Sequence, residues 1–600
     1  MTKTFLSVKL YLLSIQILGV VVMDFMEKYN QWLEDDYFDE ETKKELKDIS
    51  GDEKEIQERF YKELEFGTGG LRGIIGAGTN RMNKYSVRKA TQGLANYILL
   101  KDGEKNKQKG VVIAYDSRRY SREFAFEAAK VLNGNGIKTY VFEELAPTPE
   151  LSFAVRHLGC VAGIVITASH NPKEYNGYKV YGSDGAQVPP PYDAEIIDEV
   201  QKITDFRQVK IMDGDIAREA GLLEIIGEKV HDAYIKEVKA QSINGDIVKK
   251  VADDFTIVYT PLHGTGNKPV MRVLKEIGFK NVIIVPEQQN PDPEFSTVSY
   301  PNPEDPKAFS LAIKLAKEHN ADIIIGTDPD ADRVGVLVRD EKGEYNVLTG
   351  NMTGVLLAEY LLSAKKQKGT LPKNGALIKT IVTTEMARAI AKEYDVTLLE
   401  VLTGFKFIGE KIKEFEQTGE HEYLFGFEES YGYLAGTYAR DKDAVVASML
   451  ACELAAVYKD KGMTLYEGLQ GLYEKYGYYK EGLESITLKG IEGLEKIQSI
   501  MTSLRNNPPK AFAGLKVLEL RDYEKQMAKN LITSQEAKLH LPKSNVLYFV
   551  LENNAWFCVR PSGTEPKVKF YFGVKGKDEE HAKELLSHLK EDVMEKVKEI

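Results

Sequence analysis

The alternation of short apolar strands with amphipathic helices constrains the fold of this chain more than any other feature of its sequence. A strand pattern at Gly110–Tyr115 is followed by a helix pattern at Arg122–Asn133 and by a further strand pattern at Lys138–Phe142. Similar cycles begin at Phe255 and near Ala376. Strands that alternate with helices in this way predict α/β domains built on mixed or parallel sheets.

The pattern changes at about residue 470. Strand patterns then follow one another with few helices between them, and a long helix pattern, Glu579–Glu599, closes the chain. This order is typical of an α+β domain. We therefore predict three α/β domains at 24–220, 221–345 and 346–468, and a C-terminal α+β domain at 469–600.

Composition excludes some classes of partner. The 600 residues carry a net charge of −11, whereas proteins that bind nucleic acids usually present a basic face. Cys160, Cys452 and Cys558 are too widely spaced for a disulfide framework or a cysteine metal site. We expect a cytoplasmic protein that does not bind nucleic acid, and the sequence predicts no particular oligomeric state.

The first residues differ from the rest of the chain. An apolar stretch, Leu10–Val22, follows Lys3 and Lys9 as in a signal peptide, but no Ala-x-Ala-like cleavage site follows it. It is also shorter than the roughly 20 residues that span a membrane. We expect residues 1–22 to reflect a start codon assigned too far upstream, with an export signal or membrane anchor as the alternative. An amphipathic helix is predicted at 24–48.

A serine followed by a histidine lies after the apolar strand pattern Val161–Ile166, in the loop Thr167–Pro172. A serine that a tight turn holds at the end of a strand is exposed and fixed in direction, as a nucleophile must be. The neighbouring histidine leaves a serine hydrolase open as an alternative. Because adjacent side chains diverge, however, we expect His170 to be poorly placed to deprotonate Ser169. The Gly-x-Ser-x-Gly elbow of many hydrolases is also absent from the sequence.

Three aspartates alternate in the loop Thr327–Arg333, which follows an apolar strand. An extended backbone would turn Asp328, Asp330 and Asp332 toward one side. Three carboxylates that converge suit Mg²⁺, and without a cation they would repel one another. An EF-hand is excluded, because its glycine and glutamate positions are occupied by Arg333 and Arg339. A solvated acidic turn remains the alternative.

Two further loops carry groups that suit a sugar. The segment Gly426–Gly432 places Glu428 and Ser430 on one side of an extended backbone, and a carboxylate beside a hydroxyl can hold neighbouring sugar hydroxyls. An acidic surface turn explains this segment equally well. Downstream, Lys442 adds a cation that could face an anionic ligand, with an ordinary surface ion pair as the alternative.

Two loops carry groups that suit a phosphate. Between two strand patterns of the last domain lies Arg560–Pro566, where arginine, hydroxyls and the backbone N–H of Gly563 can form an anion nest. A plain β-turn is the alternative there. Arg72 belongs to the glycine-rich loop Phe66–Gly73, which has spare backbone donors for a phosphate. The loop lacks the Lys-Ser/Thr ending of a Walker A motif.

Together the motifs Thr167–Pro172, Thr327–Arg333 and Arg560–Thr564 resemble the α-D-phosphohexomutase superfamily, and in particular its phosphoglucomutase branch with phosphopentomutase-like members. The resemblance runs from about residue 24 to the C-terminus, with the loops in the expected order. It implies four domains around a central cleft and an isomerase that moves a phosphoryl group within a sugar phosphate. Small sugar phosphates are the implied partners, and none is expected in the membrane.

The resemblance also implies a role for each matching residue. Ser169 would carry the phosphoryl group and, through a phosphoserine oxygen, join the three aspartates around one Mg²⁺ per active site. Glucose 1,6-bisphosphate would be the intermediate and activator. The resemblance implies that Arg72, His170, Lys179 and Arg333 surround the phosphoserine, with Lys179 as general acid or base, and that Lys442 lies near the sugar. Thr403 and Gly404 would read the orientation of the sugar, and Glu428 and Ser430 would bind its hydroxyls. The non-transferring phosphate would be bound by Arg560, Ser562, Gly563 and Thr564.

The sugar loop favours one substrate over others. It reads Gly-Phe-Glu-Glu-Ser-Tyr, which differs both from the plain Gly-Glu-Glu-Ser of the best-known glucomutases and from the Gly-Glu-Met-Ser-Gly-His form of the dual mannose and glucose enzymes. We therefore expect interconversion of glucose 1-phosphate and glucose 6-phosphate. A phosphomannomutase or a phosphopentomutase is the alternative, and a phosphatase or hydrolase with a serine nucleophile is the alternative from another class. Ala331 replaces the commoner glycine of the metal loop and leaves the three aspartates intact.

Overall fold

The computed structural model describes residues 25–65, 70–488, 490–562 and 567–600. These residues form two compact units. The first unit contains the described residues up to Asp232 together with the segments 263–265 and 290–301. The second unit contains 233–262, 266–289 and 302–600. None of the described helices combines the length and the apolar character needed to cross a membrane.

Helices open the first unit. They are α1 (25–34), α2 (Glu40–Asp48) and α3 (Glu53–Phe60). The prediction of one helix over 24–48 is wrong, because the chain leaves the helix after residue 34 and a new helix is capped by Asp39, whose side chain accepts from the Thr42 N–H. Buried aromatic rings pack this segment together, with Trp32 stacked on Phe38 at 4.2 Å between ring centroids.

The first unit is built on a mixed sheet of six strands. Its elements are β1 (Gly70–Ile74), α4 (Lys84–Lys109), β2 (Val111–Tyr115), α5 (Ser121–Gly134), β3 (Thr139–Phe142), α6 (Thr148–His157), β4 (Ala162–Ile166), β5 (Tyr175–Gly182), α7 (Tyr192–Gln201), a 3₁₀ helix (Phe206–Gln208), α8 (Gly214–Glu219) and β6 (Leu223–Ile226). The strand order is β1-β5-β4-β2-β3-β6, and β1 and β5 run antiparallel to their neighbours. All residues of β2 and β4 are buried, so their apolar runs form the centre of this core.

A mixed sheet of five strands follows in the second unit. Helix α9 (Glu228–Lys239) leads from the first unit into the second. The elements that follow are α10 (Gly245–Val251), β7 (Thr256–Thr260), α11 (Asn267–Ile277), β8 (Asn281–Ile284), a 3₁₀ helix (Pro306–Phe309), α12 (Ser310–His319), β9 (Ile323–Thr327), β10 (Val334–Arg339) and β11 (Tyr345–Val347). The strand order is β11-β10-β9-β7-β8. The buried strand β9 ends directly before the aspartate loop.

The third sheet has four strands. Its elements are α13 (Gly350–Gln367), β12 (Gly375–Thr380), α14 (Met386–Glu393), β13 (Thr397–Val401), α15 (Lys406–Thr418), β14 (Glu422–Glu428), β15 (Gly432–Ala435), α16 (Ala444–Asp460) and α17 (Leu465–Tyr476). The strand order is β13-β12-β14-β15, with β12 parallel to both of its neighbours. The hairpin of β14 and β15 carries the segment that contains Glu428 and Ser430.

The C-terminal sheet is antiparallel and has eight strands. Its elements are β16 (Tyr478–Thr487), α18 (Gly490–Asn506), β17 (Ala511–Phe512), β18 (Leu515–Asp522), β19 (Met527–Asn530), β20 (Glu536–Lys538), β21 (Leu547–Leu551), a 3₁₀ helix (Glu552–Asn554), β22 (Trp556–Pro561), β23 (Lys567–Gly576) and α19 (Glu579–Glu599). The predicted fold class, three α/β domains followed by a C-terminal α+β domain, is confirmed, and the C-terminal domain is rich in β-structure. The four domain boundaries stay predictions.

Candidate active site

In the first unit, Ser169 lies in the loop that leaves β4, and its backbone has the left-handed conformation, with φ at 52°. Its N–H donates to Thr167 Oγ1 at 2.8 Å, and the Thr167 hydroxyl donates to Asp116 Oδ2 at 2.6 Å. The prediction that Ser169 is exposed is wrong, because only 4% of its surface is accessible where the tight loop turns back on itself. The serine is fixed in direction, as predicted, by a buried polar chain.

His170 lies close to Ser169, which contradicts the prediction that their side chains diverge. Ser169 Oγ and His170 Nδ1 are 3.1 Å apart. The left-handed backbone at Ser169 bends the chain, and this brings two neighbouring side chains to the same side. A proton can therefore pass between the serine oxygen and the imidazole, in the direction that the histidine tautomer allows.

Arg72 and Lys179 project from the face of the sheet next to the serine loop. Arg72 on β1 lies opposite Gly177 on β5, and Lys179 lies two residues further along β5. Side chains at these register positions share one face of the sheet. Arg72 Nη1 also donates to Asn171 Oδ1 at 3.3 Å, so its guanidinium reaches the loop that holds the serine.

In the second unit, Asp328, Asp330 and Asp332 come together after β9. All three are buried, and each offers one carboxylate oxygen within 4.8 Å of the others. The convergence is as predicted, but the extended backbone is not, because the loop is a turn in which Ala331 has φ at 50°. Asp328 Oδ1 accepts the backbone N–H groups of Asp332 and Arg333, at 3.1 and 3.0 Å, which closes the turn.

The electrostatics of this cluster fit a divalent cation. Burial raises the pKa of Asp328 well above its ordinary value, and the charges of Asp330 and Asp332 raise it further. Three hard oxygen donors at one point are the ligands that Mg²⁺ prefers, and its charge would relieve their mutual repulsion. The residues present therefore fit a magnesium ion.

Two half-buried cations border the aspartates. Lys442 Nζ lies 3.1 Å from Asp332 Oδ2 and 3.0 Å from Asp441 Oδ1. Arg333 Nη1 donates to Glu304 Oε1 at 2.7 Å. Burial opposes both charges, but the surrounding carboxylates raise the pKa of Lys442 and of Arg333 above their ordinary values. Both side chains are therefore protonated at neutral pH and act as fixed cations.

Glu428 and Ser430 lie where β14 turns into β15. Ser430 Oγ donates to Glu428 Oε1 at 3.1 Å, while Glu428 Oε2 is buried and has no hydrogen-bond partner among the described residues. Burial raises the pKa of Glu428 to about 7, although Lys442 and Arg333 oppose the shift. The second carboxylate oxygen can therefore accept a bond from a ligand hydroxyl.

The glycine at the start of β15 makes room for the lysine. A Cβ at Gly432 would lie 2.2 Å from Lys442 Cδ, so a larger residue here would displace this side chain. Lys442 Nζ also lies 5.8 Å from the ring centroid of Phe405, which follows Thr403 and Gly404. Gly404 needs its conformational freedom, because its φ is 119°. The predicted orientation loop thus reaches the same lysine as the aspartates.

Arg560 lies at the end of β22, opposite Lys569 on β23. Burial lowers the pKa of Lys569, and the cations Arg560 and Lys567 lower it further. Adjacent cations that destabilise one another favour an anion as ligand. Ser562 N donates to Lys567 O at 2.7 Å and begins the turn between the strands. Gly563 and Thr564 lie outside the described residues.

Sequence reasoning missed several residues that the structure places in these groups. Glu304 pairs with Arg333, Asp116 supports the serine loop, and Lys569 lies opposite Arg560. Asp116 had a usable signal, since it follows the buried strand β2 as the predicted loops follow theirs. Glu304 and Lys569 had none, because their partners are distant in sequence or lie across a strand pair.

Comparison with known proteins agrees with these features. Four families of phosphoglucomutase/phosphomannomutase domains match the chain in order: alpha/beta/alpha domain I at residues 63–207, domain II at 232–343, domain III at 349–476 and the C-terminal domain at 505–591. Phosphoglucomutases of Staphylococcus haemolyticus (strain JCSC1435) and Staphylococcus aureus (strain MSSA476) are each 40% identical to it, over 518 and 522 residues. These alignments cover 86% and 87% of this chain and 91% of each relative.

Solved structures share the fold. The crystal structure of pp63/parafusin, a phosphoglucomutase from Paramecium, matches with a TM-score of 0.65 at 17% identity, over 88% of this chain and 94% of that one. A phosphoglucomutase/phosphomannomutase family protein from Burkholderia thailandensis matches with a TM-score of 0.61 at 17% identity, over 88% and 96% of the two chains.

The fold and these groups define a phosphoryl-transferring enzyme of the isomerase class. The chain belongs to the phosphoglucomutase/phosphomannomutase family, within the α-D-phosphohexomutase superfamily.

Replacing Asp330 by Asn should weaken Mg²⁺ binding at least about tenfold, because the amide carries no negative charge and does not replace the lost carboxylate ligand. In wild type, Mg²⁺ should raise the melting temperature above the value in EDTA, and the variant should lose most of this difference. Isothermal titration and thermal melts measure both effects. Asp253→Asn, an exposed acid of the same unit, is the matched control. Equal Mg²⁺ affinity in Asp330→Asn and wild type would rule out the aspartate site.

Replacing Glu428 by Gln should remove a pH dependence. Because the pKa of Glu428 is raised to about 7, its carboxylate is lost as the pH falls through that value. The kcat/KM for a hexose phosphate should therefore fall about tenfold per pH unit below about 7 in wild type. The variant should show a lower kcat/KM without that acidic limb. Glu422→Gln, on an exposed residue of the same strand, should keep the wild-type profile, and an unchanged limb in Glu428→Gln would contradict the assignment.

Proposed function

We propose that the enzyme interconverts glucose 1-phosphate and glucose 6-phosphate through a phosphoserine at Ser169 and a glucose 1,6-bisphosphate intermediate. The observation that carries the proposal is the fixed serine with His170 at 3.1 Å, in a chain that also holds a buried three-carboxylate cluster. The relatives named phosphoglucomutase, 40% identical over most of their length, support glucose as the sugar.

Asp328, Asp330 and Asp332 would hold one Mg²⁺, together with an oxygen of the phosphorylated Ser169. When bound, the ion would neutralise charge on the transferring phosphoryl group. The family resemblance and the clustering of the three carboxylates support this assignment.

The first transfer moves the phosphoryl group from Ser169 to the sugar. A free sugar hydroxyl attacks phosphorus, the bond between phosphorus and Ser169 Oγ breaks, and the hydroxyl proton passes to Lys179 acting as base, while His170 gives a proton to the released Oγ. The bisphosphate then reorients so that its other phosphoryl group faces Ser169. In the second transfer Ser169 Oγ attacks the other phosphorus and gives its proton to His170 Nδ1, whose distance of 3.1 Å supports the role. The bond between that phosphorus and the sugar oxygen breaks, and Lys179 returns its proton to the released oxygen. Arg72 would stabilise charge beside the serine loop.

The remaining residues would bind the sugar phosphate. Glu428 and Ser430 would accept and donate bonds to sugar hydroxyls, with the uncommitted Glu428 Oε2 as the main acceptor. The further binding groups are Thr403 and Gly404 for sugar orientation, Arg333 and Lys442 as fixed cations, and Arg560, Ser562, Gly563 and Thr564 for the non-transferring phosphate.

The test is direct. Incubation with glucose 1-phosphate, Mg²⁺ and a trace of glucose 1,6-bisphosphate should yield glucose 6-phosphate, which a coupled dehydrogenase reports. Mannose and ribose phosphates, run in parallel, should turn over more slowly. A faster reaction with either would replace glucose by that sugar, and no isomerisation of any of the three would refute the mutase proposal.

A serine phosphatase is the second candidate, because the contact between Ser169 and His170 also suits a hydrolase. The same incubations distinguish the two through inorganic phosphate. A mutase should release little of it relative to product, whereas a phosphatase would release one phosphate for each sugar formed.

The cytoplasmic location stays a prediction.

A further inference from the structure

Arg118 lies beneath the serine loop of the first unit. It is buried, with 3% of its surface accessible, and it follows β2 by three residues. Nη2 donates to Ser169 O at 2.6 Å and to Asn171 O at 2.5 Å. Nη1 donates to Pro172 O at 2.8 Å and to Tyr175 O at 3.1 Å. One guanidinium therefore binds four backbone carbonyls of the segment that carries Ser169.

The guanidinium is itself held in place. Arg118 Nε lies 3.3 Å from Asp116 Oδ2, and Arg118 Cζ lies over the Phe295 ring, 5.0 Å from its centroid. The carboxylate of Asp116 also accepts from Ser121 Oγ at 2.7 Å and from Thr167 Oγ1 at 2.6 Å. A planar cation fixed along its edge by a carboxylate and along its face by a ring cannot swing away from the loop.

These contacts hold Ser169 from both sides of its peptide unit. Its carbonyl accepts from Arg118, and its N–H donates to Thr167 Oγ1, which is tied to the same Asp116. A serine in the left-handed conformation is strained, and such a backbone persists only when its surroundings over-determine it. Arg118 contributes to that determination through its bonds to four carbonyls of this segment.

We propose that Arg118 is the positioning residue for the nucleophile: it holds the Ser169 loop in the strained conformation that aims Oγ for phosphoryl transfer. This inference rests on the proposed function of Ser169 as phosphate carrier. Arg118 acts through the loop, since its two terminal nitrogens bind backbone carbonyls. Its fork geometry is therefore essential, and a positive charge alone does not replace it.

Arg118→Lys tests this distinction, because lysine keeps the charge but has one nitrogen where arginine has a fork. We expect the rate at which glucose 1,6-bisphosphate phosphorylates Ser169 to fall about 100-fold, the cost of a nucleophile misplaced by about 1 Å. The KM for glucose 1-phosphate should change less than about threefold while kcat falls, since the sugar-binding groups belong to the second unit. Arg122→Lys, an exposed arginine of the same unit with its guanidinium over Phe126, is the matched control.

Hydrogen exchange gives a readout that does not depend on activity. In Arg118→Lys, amides of the segment 167–176 should exchange about tenfold faster, while the β2 and β4 amides keep their wild-type protection. Wild-type phosphorylation together with wild-type exchange in this variant would overturn the inference. If wild type itself accepts no phosphate from the bisphosphate, the proposed function fails, whereas the exchange result still decides whether Arg118 fixes the loop.

A second variant covers the case in which Arg118→Lys does not fold. Phe295→Leu removes the ring from the face of the guanidinium and leaves the loop sequence intact. We expect about a tenfold slower phosphorylation of Ser169 and faster exchange confined to 167–176, with a circular dichroism spectrum like that of wild type. An unchanged phosphorylation rate and unchanged exchange in this folded variant would count against the inference.

Discussion

The burial of three carboxylates within 4.8 Å of one another is the constraint on which the other charges of the second unit depend. Three like charges cannot be buried together without compensation. Lys442 forms an ion pair with Asp332, and Arg333 beside them forms an ion pair with Glu304. A cation bound by the cluster would supply the remaining compensation, which is why this part of the protein is well suited to Mg²⁺ and to the anionic group that Mg²⁺ would help to bind.

In each unit a residue with a strained backbone is stabilised by nearby hydrogen bonds. Ser169 and Ala331 each adopt a left-handed backbone, which costs a residue other than glycine about 1–2 kcal/mol. Each is stabilised locally: Ser169 by bonds to Arg118 and Thr167, and the Ala331 turn by two backbone N–H groups that bind Asp328. In both places the strain turns polar side chains together directly after a buried strand.

Much of this arrangement could be predicted from the sequence. Ser169 and Asp328 each follow closely on an apolar run. The apolar run predicts a buried strand, and the polar residues after it predict the loop in which the strand ends. The contact between His170 and Ser169 could not be predicted, since it depends on a left-handed φ that the sequence does not reveal. The same holds for Arg118, whose four acceptors are backbone carbonyls and leave no pattern in side-chain chemistry.

In the proposed mechanism, Ser169 carries the phosphoryl group between turnovers. The most direct measurement is incubation with glucose 1,6-bisphosphate labelled in both phosphates, followed by mapping of the labelled peptide and a chase with unlabelled glucose 1-phosphate. We expect label on Ser169, its transfer to sugar during the chase, and no label in Ser169→Ala. Label on another residue, or label released only as inorganic phosphate, would contradict it.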